Sequence, residues 1–240
     1  MTAHNAFGQP VGAALQGWQA PPAPPPRVLQ GRYCRLEPIN ADRHAAHLDA
    51  ANRLEPDDRG WTYMINGPYA TAAEYRAWVE AQQGCSDPQF YAIIDLASSL
   101  AGGVASYMRI DPANGCIEVG GIKLTPRISR KPAMTEAMHL MMNNAFELGY
   151  RRYEWKCDAL NAPSRAAARR LGFSFEGIFA QAVVYKGRNR DTAWFSITDR
   201  EWPAIRAAHE QWLAPQNFDA RGRQKTSLSA LTAPLRRENI

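Results

Sequence analysis

The chain has 240 residues, of which 45% are apolar and 21% charged, and its formal net charge is +5. This apolar content is enough for a hydrophobic core and argues against a wholly disordered protein. No apolar run is long enough to span a membrane, and the N-terminal residues lack the pattern of a secretory signal. Four cysteines without a paired motif exclude a disulfide scaffold and favour reduced thiols in the cytoplasm.

The positive charge is concentrated at the C-terminus. Residues 221–240 carry five basic side chains and one acidic side chain, so the other 220 residues are close to neutral. A basic isoelectric point often indicates nucleic-acid binding, but that function needs basic residues on the folded domain itself. We therefore expect no nucleic-acid partner and no membrane partner.

The two ends of the chain differ in composition from its middle. Residues 1–26 contain no Asp, Glu, Lys or Arg, and five of the residues 21–26 are proline. Such a segment favours extended, solvated backbone, and we expect residues 1–27 to be a disordered Pro-rich segment. The folded domain is expected over residues 28–213, followed by a basic C-terminal arm over residues 214–240.

Local patterns predict the first elements of the domain. A strand is expected at 33–39, followed by a helix that Asn40 caps. Residues 55–70 are rich in turn formers and aromatic side chains, which indicates a loop. Thr71 caps a second helix, with Glu74 at the capping-box position.

The remaining elements alternate between strand and helix patterns. Strands are predicted at 90–96, 103–110, 116–124, 153–157, 175–185 and 191–198. Helices are predicted for MTEAMHLMMNNAFELG, for SRAAARRL and for residues 201–213. This order indicates an α+β fold with one strand–helix–strand crossover near its centre.

Several short sequence motifs occur together in the central segment. They are Thr135-Glu136-Ala137 at a helix start, Ala145-Phe146-Glu147-Leu148-Gly149 at its end, Asn161 with Ser164, and Leu171-Gly172-Phe173 before Glu176-Gly177. With these motifs, the segment TEAMHLMMNNAFELGYRRYEWKCDALNAPSRAAARRLGFSFEG resembles the GNAT superfamily of N-acetyltransferases. It is most similar to the branch that includes ribosomal-protein alanine acetyltransferases.

The resemblance implies a fold and an activity. The fold is a mixed, mostly antiparallel sheet flanked by helices, with a β-α-β crossover at the acetyl-CoA site. The activity is the transfer of acetyl from acetyl-CoA to a primary amine, without a metal. The pantetheine arm would lie between the strands 116–124 and 153–158, and the pyrophosphate would lie before the following helix, where free amides and the helix dipole favour an anion. The cofactor-binding residues implied in this way are Ile122, Lys123, Leu124, Arg127, Ser129, Arg130, Lys131, Ala133, Met134, Thr135 and Asn161.

The chain departs from the family pattern at two places. The usual pyrophosphate loop contains glycine, whereas Ser129-Arg130-Lys131-Pro132-Ala133-Met134 has none, and Pro132 has no N–H to donate. Many family members also place a tyrosine, which protonates the leaving thiolate, at the position of Ala168. Ser164 is the substitute that the resemblance implies, because its hydroxyl can donate a hydrogen bond to the developing thiolate.

Glu118 and Ser164 are the predicted catalytic residues. Glu118 would deprotonate the amine through water, and the alternative is an ordinary solvent-facing strand acid. For Ser164 the alternative is a first-turn helix residue bonded to local backbone, and for Asn161 it is a simple turn or cap residue. Glu136 is interpreted as structural, since it lies in the first turn of a helix.

Other reactive side chains are interpreted as structural. The methionines from Met134 to Met142 follow helical spacing and predict a core stripe rather than a metal site. His44 and His47 lack a third ligand and are expected to be a surface pair. Cys157 has no histidine nearby in sequence and is expected in the core.

The acceptor site is expected between the loop at 55–70 and the last strands. Its aromatic candidates are Trp61, Tyr63, Tyr69, Tyr185 and Trp194. The acids Glu55, Asp57 and Asp58 could attract a cation, and the alternative is a packed loop with a solvated acidic edge. The acceptor would be a small amine or a protein N-terminus, and the resemblance leaves a homodimer open. The alternative function is a catalytically silent acyl-CoA-binding or protein-interaction module.

Overall fold

One eight-stranded mixed sheet organises the protein. The computed structural model describes residues 3–237; residues 1 and 2 of the predicted N-terminal segment and residues 238–240 of the predicted arm lie outside this range. The strands are β1 (Leu29–Gln30), β2 (Cys34–Pro38), β3 (Gln89–Asp95), β4 (Leu100–Asp111), β5 (Cys116–Leu124), β6 (Arg152–Asp158), β7 (Ser174–Tyr185) and β8 (Arg188–Thr198). Their spatial order is β1-β2-β3-β4-β5-β6-β8-β7, and neighbours are antiparallel except for the parallel pair β5 and β6.

Six α-helices accompany the sheet within the described residues. They are α1 (Ala46–Asn52), α2 (Ala72–Gln82), α3 (Pro132–Glu147), α4 (Ala162–Arg170), α5 (Trp202–Leu213) and α6 (Leu228–Thr232). A π-helical turn at Ala41–Ala45 precedes α1, short 3-10 turns lie at Asp58–Trp61, Pro215–Asn217 and Ala233–Leu235, and a two-residue hairpin pairs Ala3–His4 with Pro10–Val11. The α+β fold with a β5–α3–β6 crossover is therefore confirmed.

Both faces of the sheet are packed, but by different means. On one face, α3 and α5 pack against the apolar side chains of β2 to β8 in a large core. On the other face, α1 and α2 form a smaller core with β3 and β4. Beyond β4, the second face carries polar side chains. Glu118 of β5 and Glu154 of β6 are neighbours in the register, and Lys156 of β6 lies opposite Trp194 of β8. The candidate site described below lies at this transition.

The caps predicted for the early helices are present. Asn40 accepts from the Arg43 amide at 3.0 Å, and Thr71 accepts from the Glu74 amide at 3.1 Å. The Glu74 carboxylate accepts from the amide of Ala70, one residue before the cap. The capping box therefore encloses α2 with a shift of one residue.

Two expectations for helical side chains have opposite outcomes. Met138, Met141 and Met142 are buried in the large core, so the prediction of a core stripe is confirmed for these three, whereas Met134 is half-buried. The expectation of a surface histidine pair is wrong for His44, which is 2% exposed. Its Nδ1 accepts from the Asn40 amide at 3.0 Å and its Nε2 lies 3.1 Å from Glu37, so the helix cap and a buried carboxylate hold this ring inside.

Both ends of the chain contact the domain. Pro21 and Pro24 are buried, and the Gln89 side chain donates to the Pro24 carbonyl at 3.1 Å. At the other end, Leu228 of α6 belongs to the large core. The division into a Pro-rich segment, a domain and a basic arm remains a prediction, although both ends add packing to the domain.

Glu136 holds the turn between β1 and β2. Its carboxylate accepts from the amides of Arg32 at 2.8 Å, Tyr33 at 2.6 Å and Cys34 at 2.8 Å. A side chain at Gly31 would collide with the Glu136 carboxylate, so the turn closes around this acid. The structural interpretation of Glu136 is confirmed, with backbone amides of another segment as its partners rather than the helix dipole alone.

We expect Glu136→Gln to lower the free energy of unfolding by about 2–3 kcal/mol, because an amide cannot replace a carboxylate that accepts from several amides. Urea unfolding at neutral pH measures the change. The control is Glu147→Gln at the exposed end of the same helix, where a change below about 0.5 kcal/mol is expected. Equal effects of the two substitutions would show that the carboxylate does not hold the turn.

His209 makes stability depend on pH. Its ring is 0% exposed and donates from Nε2 to the Leu171 carbonyl at 2.9 Å. Burial lowers the pKa of His209 to about 3, against the opposing effect of this hydrogen bond, and the nearby His139 and Arg170 lower it further. The unfolded chain takes up the proton near the ordinary pKa of about 6.5, so stability is full above that pH and falls as the pH drops toward 3.

We expect wild-type protein to lose more unfolding free energy between pH 7.5 and 5.5 than His209→Gln, by about 1 kcal/mol. Glutamine keeps a donor for Leu171 but does not titrate, while His44 and His139, whose pKa values burial also lowers, remain in both proteins. Urea unfolding at the two pH values gives the comparison. An identical pH dependence would contradict the assignment.

Candidate active site

The parallel strands β5 and β6 separate partway along their length. Their register runs from Cys116 opposite Arg152 to Val119 opposite Trp155 and ends there, although both strands continue. Backbone groups beyond this point are left without the neighbouring strand. The resemblance implies a gap between these two strands, and the structure contains one.

A bulge in β5 lies at the same place. Ser106 of β4 lies opposite Gly120, but Val104 lies opposite Lys123, so β5 has one extra residue there. Gly121 has a φ of +58°, and a side chain at this position would meet the Phe90 ring at 2.7 Å. Bulges increase local twist, which turns β5 away from β6.

A cavity of about 470 Å³ opens at the gap. It brings together Glu118, Ile122, Asn161 and Ser164, which the sequence analysis singled out, with Tyr63 of the preceding loop. The remaining charged lining residues are Arg109, Lys156, Asp158 and Arg190. The predicted base, the predicted thiolate stabiliser and one predicted acceptor residue therefore share one space.

Glu118 is a buried acid with two cationic neighbours. It is 2% exposed, so the alternative of a solvent-facing strand acid is wrong. Its Oε1 accepts from Arg109 at 2.7 Å, and its Oε2 lies 3.0 Å from the Lys156 ammonium. Burial raises the pKa of the Glu118 carboxyl, against the opposing effects of Lys156 and Arg109. A carboxyl with a raised pKa is a stronger proton acceptor once it is ionised.

Lys156 links Glu118 to a row of alternating charges. Its ammonium lies 2.7 Å from Glu154, whose other oxygen accepts from Arg152 at 2.6 Å. Arg152 in turn pairs with Glu176. Burial opposes ionisation of Glu176, but hydrogen bonds from Arg152 and Ser196 lower its pKa to about 2. On the polar face of the sheet, each of these charged side chains therefore lies beside one of opposite charge.

The C-terminal residues complete this row of charges. Arg237 pairs with Glu176 at 3.2 Å and with Glu201 at the start of α5 at 2.9 Å. The Arg237 guanidinium also donates to the Ser196 hydroxyl at 2.6 Å. The last described residue of the predicted basic arm therefore contacts the sheet.

Ser164 lies beside the separated strands, and hydrogen bonds fix the position of its backbone and its hydroxyl group. Its amide donates to Asn161 Oδ1 at 3.1 Å, so Asn161 is the cap of α4. The Ser164 hydroxyl oxygen accepts from the Trp155 indole at 3.0 Å, which leaves the hydroxyl hydrogen to donate. Cys157 is buried in the core, as expected, and burial raises the pKa of its thiol, with Ser164 opposing. It is therefore a thiol at neutral pH.

The segment before α3 is exposed and partly cationic. Ser129, Arg130 and Lys131 are all exposed, and α3 begins at Pro132 without a side-chain cap. The Lys131 ammonium lies 3.5 Å from Asp95. Proline fits the first helical position, where an amide would have no partner in the helix.

Other residues predicted to bind the cofactor have their side chains occupied within the protein. Arg127 donates to the carbonyls of His47 at 3.0 Å and Ala101 at 2.6 Å, so it does not point freely toward a phosphate. Thr135 accepts from Arg170 at 3.0 Å. Lys123 is buried and pairs with Glu55, and Leu124 and Ala133 pack in the large core, whereas Met134 is half-buried.

The predicted acceptor residues fall into two places. Trp61 and Tyr69 line a separate cavity of about 440 Å³ that also contains Glu55, Asp57 and Asp58. Their rings meet edge to face at 5.6 Å, and the Lys123 ammonium lies 4.8 Å from the Trp61 ring. The structure does not bring Trp61 and Tyr69 to the Glu118 cavity.

The last two aromatic candidates contact the charged lining of the Glu118 cavity. Tyr185 donates to Asp158 at 2.9 Å. The Lys156 ammonium lies 3.8 Å over the Trp194 ring, which stacks on Phe179 at 4.3 Å. Both rings therefore position charged residues beside the cavity.

Four charged lining residues were missed by the sequence reasoning. Lys156 and Asp158 alternate with Trp155 and Cys157, and this alternation places them on the face of β6 that carries Glu154. Arg109 gave no signal, because its position depends on a φ of +48°. Arg190, the fourth, depends on an irregular β7–β8 register.

Residues 3–237 contain neither a metal-binding cluster nor a membrane-spanning helix. In that range no group of three or more His, Cys, Asp or Glu side chains is arranged to hold a metal ion. None of the helices described is long and apolar enough to cross a membrane.

Comparisons with known proteins identify the family. The model of the acetyltransferase (GNAT) domain matches residues 34–174. A solved GCN5-related N-acetyltransferase from Brucella melitensis is 51% identical, with a TM-score of 0.89 over 91% of this chain and 100% of that chain. A probable GNAT-family acetyltransferase from Chromobacterium violaceum is 39% identical, with a TM-score of 0.75 over 82% and 98% of the two chains.

The ribosomal-protein branch matches at the level of the fold. An acetyl transferase from Salmonella typhimurium that modifies the N-terminal serine of ribosomal protein L7/L12 is 22% identical, with a TM-score of 0.58 over 72% of this chain and 99% of that chain. No curated protein matches. The family model covers more than half of the chain and two solved relatives exceed 30% identity, so this chain belongs to the GNAT family of N-acetyltransferases.

Proposed function

We propose that the protein transfers acetyl from acetyl-CoA to a primary amine by direct attack within a ternary complex. The observation that carries the proposal is the separation of β5 from β6 beyond Val119 and Trp155, with Glu118 and Ser164 lining the same cavity. The acceptor amine belongs to a small molecule or to a protein N-terminus. The reaction takes place in the cytoplasm, where the four free cysteines would stay reduced.

Acetyl-CoA fits the features of the gap. The unpaired backbone of β5 after Val119 offers hydrogen-bonding groups to the amides of a pantetheine arm. Arg130 and Lys131 are exposed before α3 and suit phosphate groups, with side-chain charge in place of the missing loop glycines. Bound acetyl-CoA supplies an activated thioester carbonyl.

Glu118 and Ser164 would act on opposite sides of the transfer. Glu118 would first take a proton from the ammonium through water, and the free amine would then attack the carbonyl carbon. A C–N bond forms, the C–S bond breaks, and the second nitrogen proton passes to the leaving thiolate, so that CoA leaves as a thiol. The Ser164 hydroxyl hydrogen, left free by Trp155, donates to the thiolate as charge develops. Arg109 and Lys156 hold the Glu118 carboxylate in place between proton transfers.

The overall proposal is tested by binding and turnover. Calorimetry with purified protein should show acetyl-CoA binding below millimolar concentration, and thiol release should appear with at least one amine of a panel of small amines and peptides. No binding would overturn the proposal. Binding without turnover on any acceptor would favour a silent acyl-CoA-binding module.

We expect Glu118→Gln to lower kcat/KM about 100-fold, with the dissociation constant of acetyl-CoA changed less than about threefold. The wild-type rate should rise with pH along a limb that lies above the ordinary carboxyl range, because burial raises the pKa of Glu118. Glutamine should remove this limb. Thiol-release kinetics between pH 5 and 9 check both points. Glu147→Gln is the control, and an unchanged pH profile in Glu118→Gln would exclude the role of base.

We expect Ser164→Ala to lower kcat about 10- to 100-fold at an unchanged KM for the amine. The wild-type hydroxyl donates to the thiolate only in the transition state, so its removal does not weaken binding of the substrate. Saturation kinetics with the best acceptor of the panel measure both constants. Ser229→Ala, at an exposed position of α6, is the control. A rise in KM alone would assign Ser164 to ground-state binding instead.

A further inference from the structure

Arg190 is a cation without a counter-ion at the wall of the cavity. It lines the same space as Glu118 and Ser164. The Nε atom of Arg190 is buried and has no hydrogen-bond acceptor. Within the described part of the chain, the Arg190 guanidinium forms no ion pair with a carboxylate. Buried donors normally have partners, so an unpaired one that lines a cavity indicates a ligand with acceptor atoms.

Asp158 is the complementary group. It is 5% exposed, lines the same cavity, and accepts from the Leu160 amide at 2.8 Å and the Tyr185 hydroxyl at 2.9 Å. Neither partner carries a positive charge, and residues 3–237 supply no salt bridge to this carboxylate. Its negative charge therefore remains available to a cation in the cavity.

The other charges of the lining compensate one another. Glu118 is paired with Arg109 and Lys156, and Lys156 also contacts Glu154 outside the lining. What remains is Asp158, whose partners are uncharged, and Arg190, whose guanidinium lies 5.7 Å over the Tyr185 ring. Neither forms an ion pair within the described residues, so the cavity presents one acid and one base without charged partners.

The backbone brings Asp158 and Arg190 near each other. Thr192 lies directly opposite Asp158 across β8 and β6, and Arg190 precedes Thr192 by two residues in β8, next to the irregularity in the β7–β8 register. Diagonal neighbours of this kind are about 7–8 Å apart at Cα. The Thr192 hydroxyl is itself buried and unpaired, which adds another free polar atom beside the diagonal.

Another part of the lining is largely apolar. Its apolar side chains are Met64, Ile65, Trp78, Pro88, Phe90 and Met108, and Asn66 and Gln82 are its polar members. A ligand that extends from Asp158 and Arg190 to these apolar side chains needs an apolar side chain of its own. The volume of about 470 Å³ accommodates a ligand of that size together with the reacting end of the acetyl donor.

From these observations we infer that the acceptor is a zwitterionic free amino acid with an apolar side chain. Arg190 binds its carboxylate, and Asp158 binds its ammonium before the proton leaves. A guanidinium binds a carboxylate through two parallel hydrogen bonds, which also fixes the direction of the amine. The inference rests on the proposed function and names the class of acceptor within it.

The test compares acceptors that differ only in the carboxylate. L-Leucine, L-methionine and L-phenylalanine are each assayed beside their C-terminal amides by thiol release at saturating acetyl-CoA. We expect at least one of the three amino acids to be acetylated, with a KM at least tenfold below that of its amide. A KM for every amide equal to or below that of its amino acid overturns the inference.

Substitution of Arg190 provides the second arm. Arg190→Gln should raise the KM for the amino acid roughly 10- to 100-fold and leave the KM for the amide within about threefold, because only the amino acid loses a charge-assisted pair. Arg188→Gln, on the exposed part of the same strand, is the matched control and should change neither value. Equal changes for acid and amide in Arg190→Gln would show a structural effect and overturn the inference.

Failure of the inference and failure of the proposed function give different results. Transfer to 2-phenylethylamine or to a peptide N-terminus, without transfer to any free amino acid, overturns the inference alone. Absence of acetyl-CoA binding and of transfer to every amine overturns both. Asp158→Asn adds a check, since it should raise the KM for amino acid and amide alike.

Discussion

The chemistry of this protein depends on the point where two parallel strands stop pairing. Up to Val119 and Trp155, β5 and β6 satisfy each other's backbone; beyond, the bulge around Gly121 turns β5 away. Unpaired backbone inside a protein is costly, so such an opening persists only where the surrounding packing enforces it. Here Phe90 leaves no room for a side chain at position 121, and the large core holds the other face of both strands.

The opening creates an electrostatic requirement. Glu118 stands at its edge, almost wholly shielded from water, and a charge in such a place needs partners. Arg109 and Lys156 provide them, and the row of alternating charges continues this compensation across the sheet. One half of that face therefore contains ion pairs, whereas the half under α1 and α2 is packed with aliphatic and aromatic side chains. Arg190 stands out because it lies at the same cavity without joining this row.

Much of the fold could be predicted from the sequence, because helix caps, strand alternation and turn residues act locally. Glu118 and Ser164 were located by the resemblance to the GNAT family rather than by local patterns. Long-range pairing could not be predicted in this way. The hydrogen bonds from Arg127 to the carbonyls of His47 and Ala101 connect residues far apart in the chain. The contact of His44 with Glu37 depends on how the first helix packs against β2. Trp61 and Tyr69 fall in a separate cavity because the loop packs their rings against each other.

The contacts of Arg237 have a consequence for how the chain can be shortened. A protein ending at residue 213, where local patterns close the domain, would lose Leu228 from the core and would leave Glu176 and Glu201 without this guanidinium. Glu176 would keep its pair with Arg152, whereas Glu201 would lose its pair with Arg237. Residues after α5 therefore contribute to the cooperative folding unit. Proteolysis after α5 would change the balance of charges on the polar face of the sheet beside the cavity.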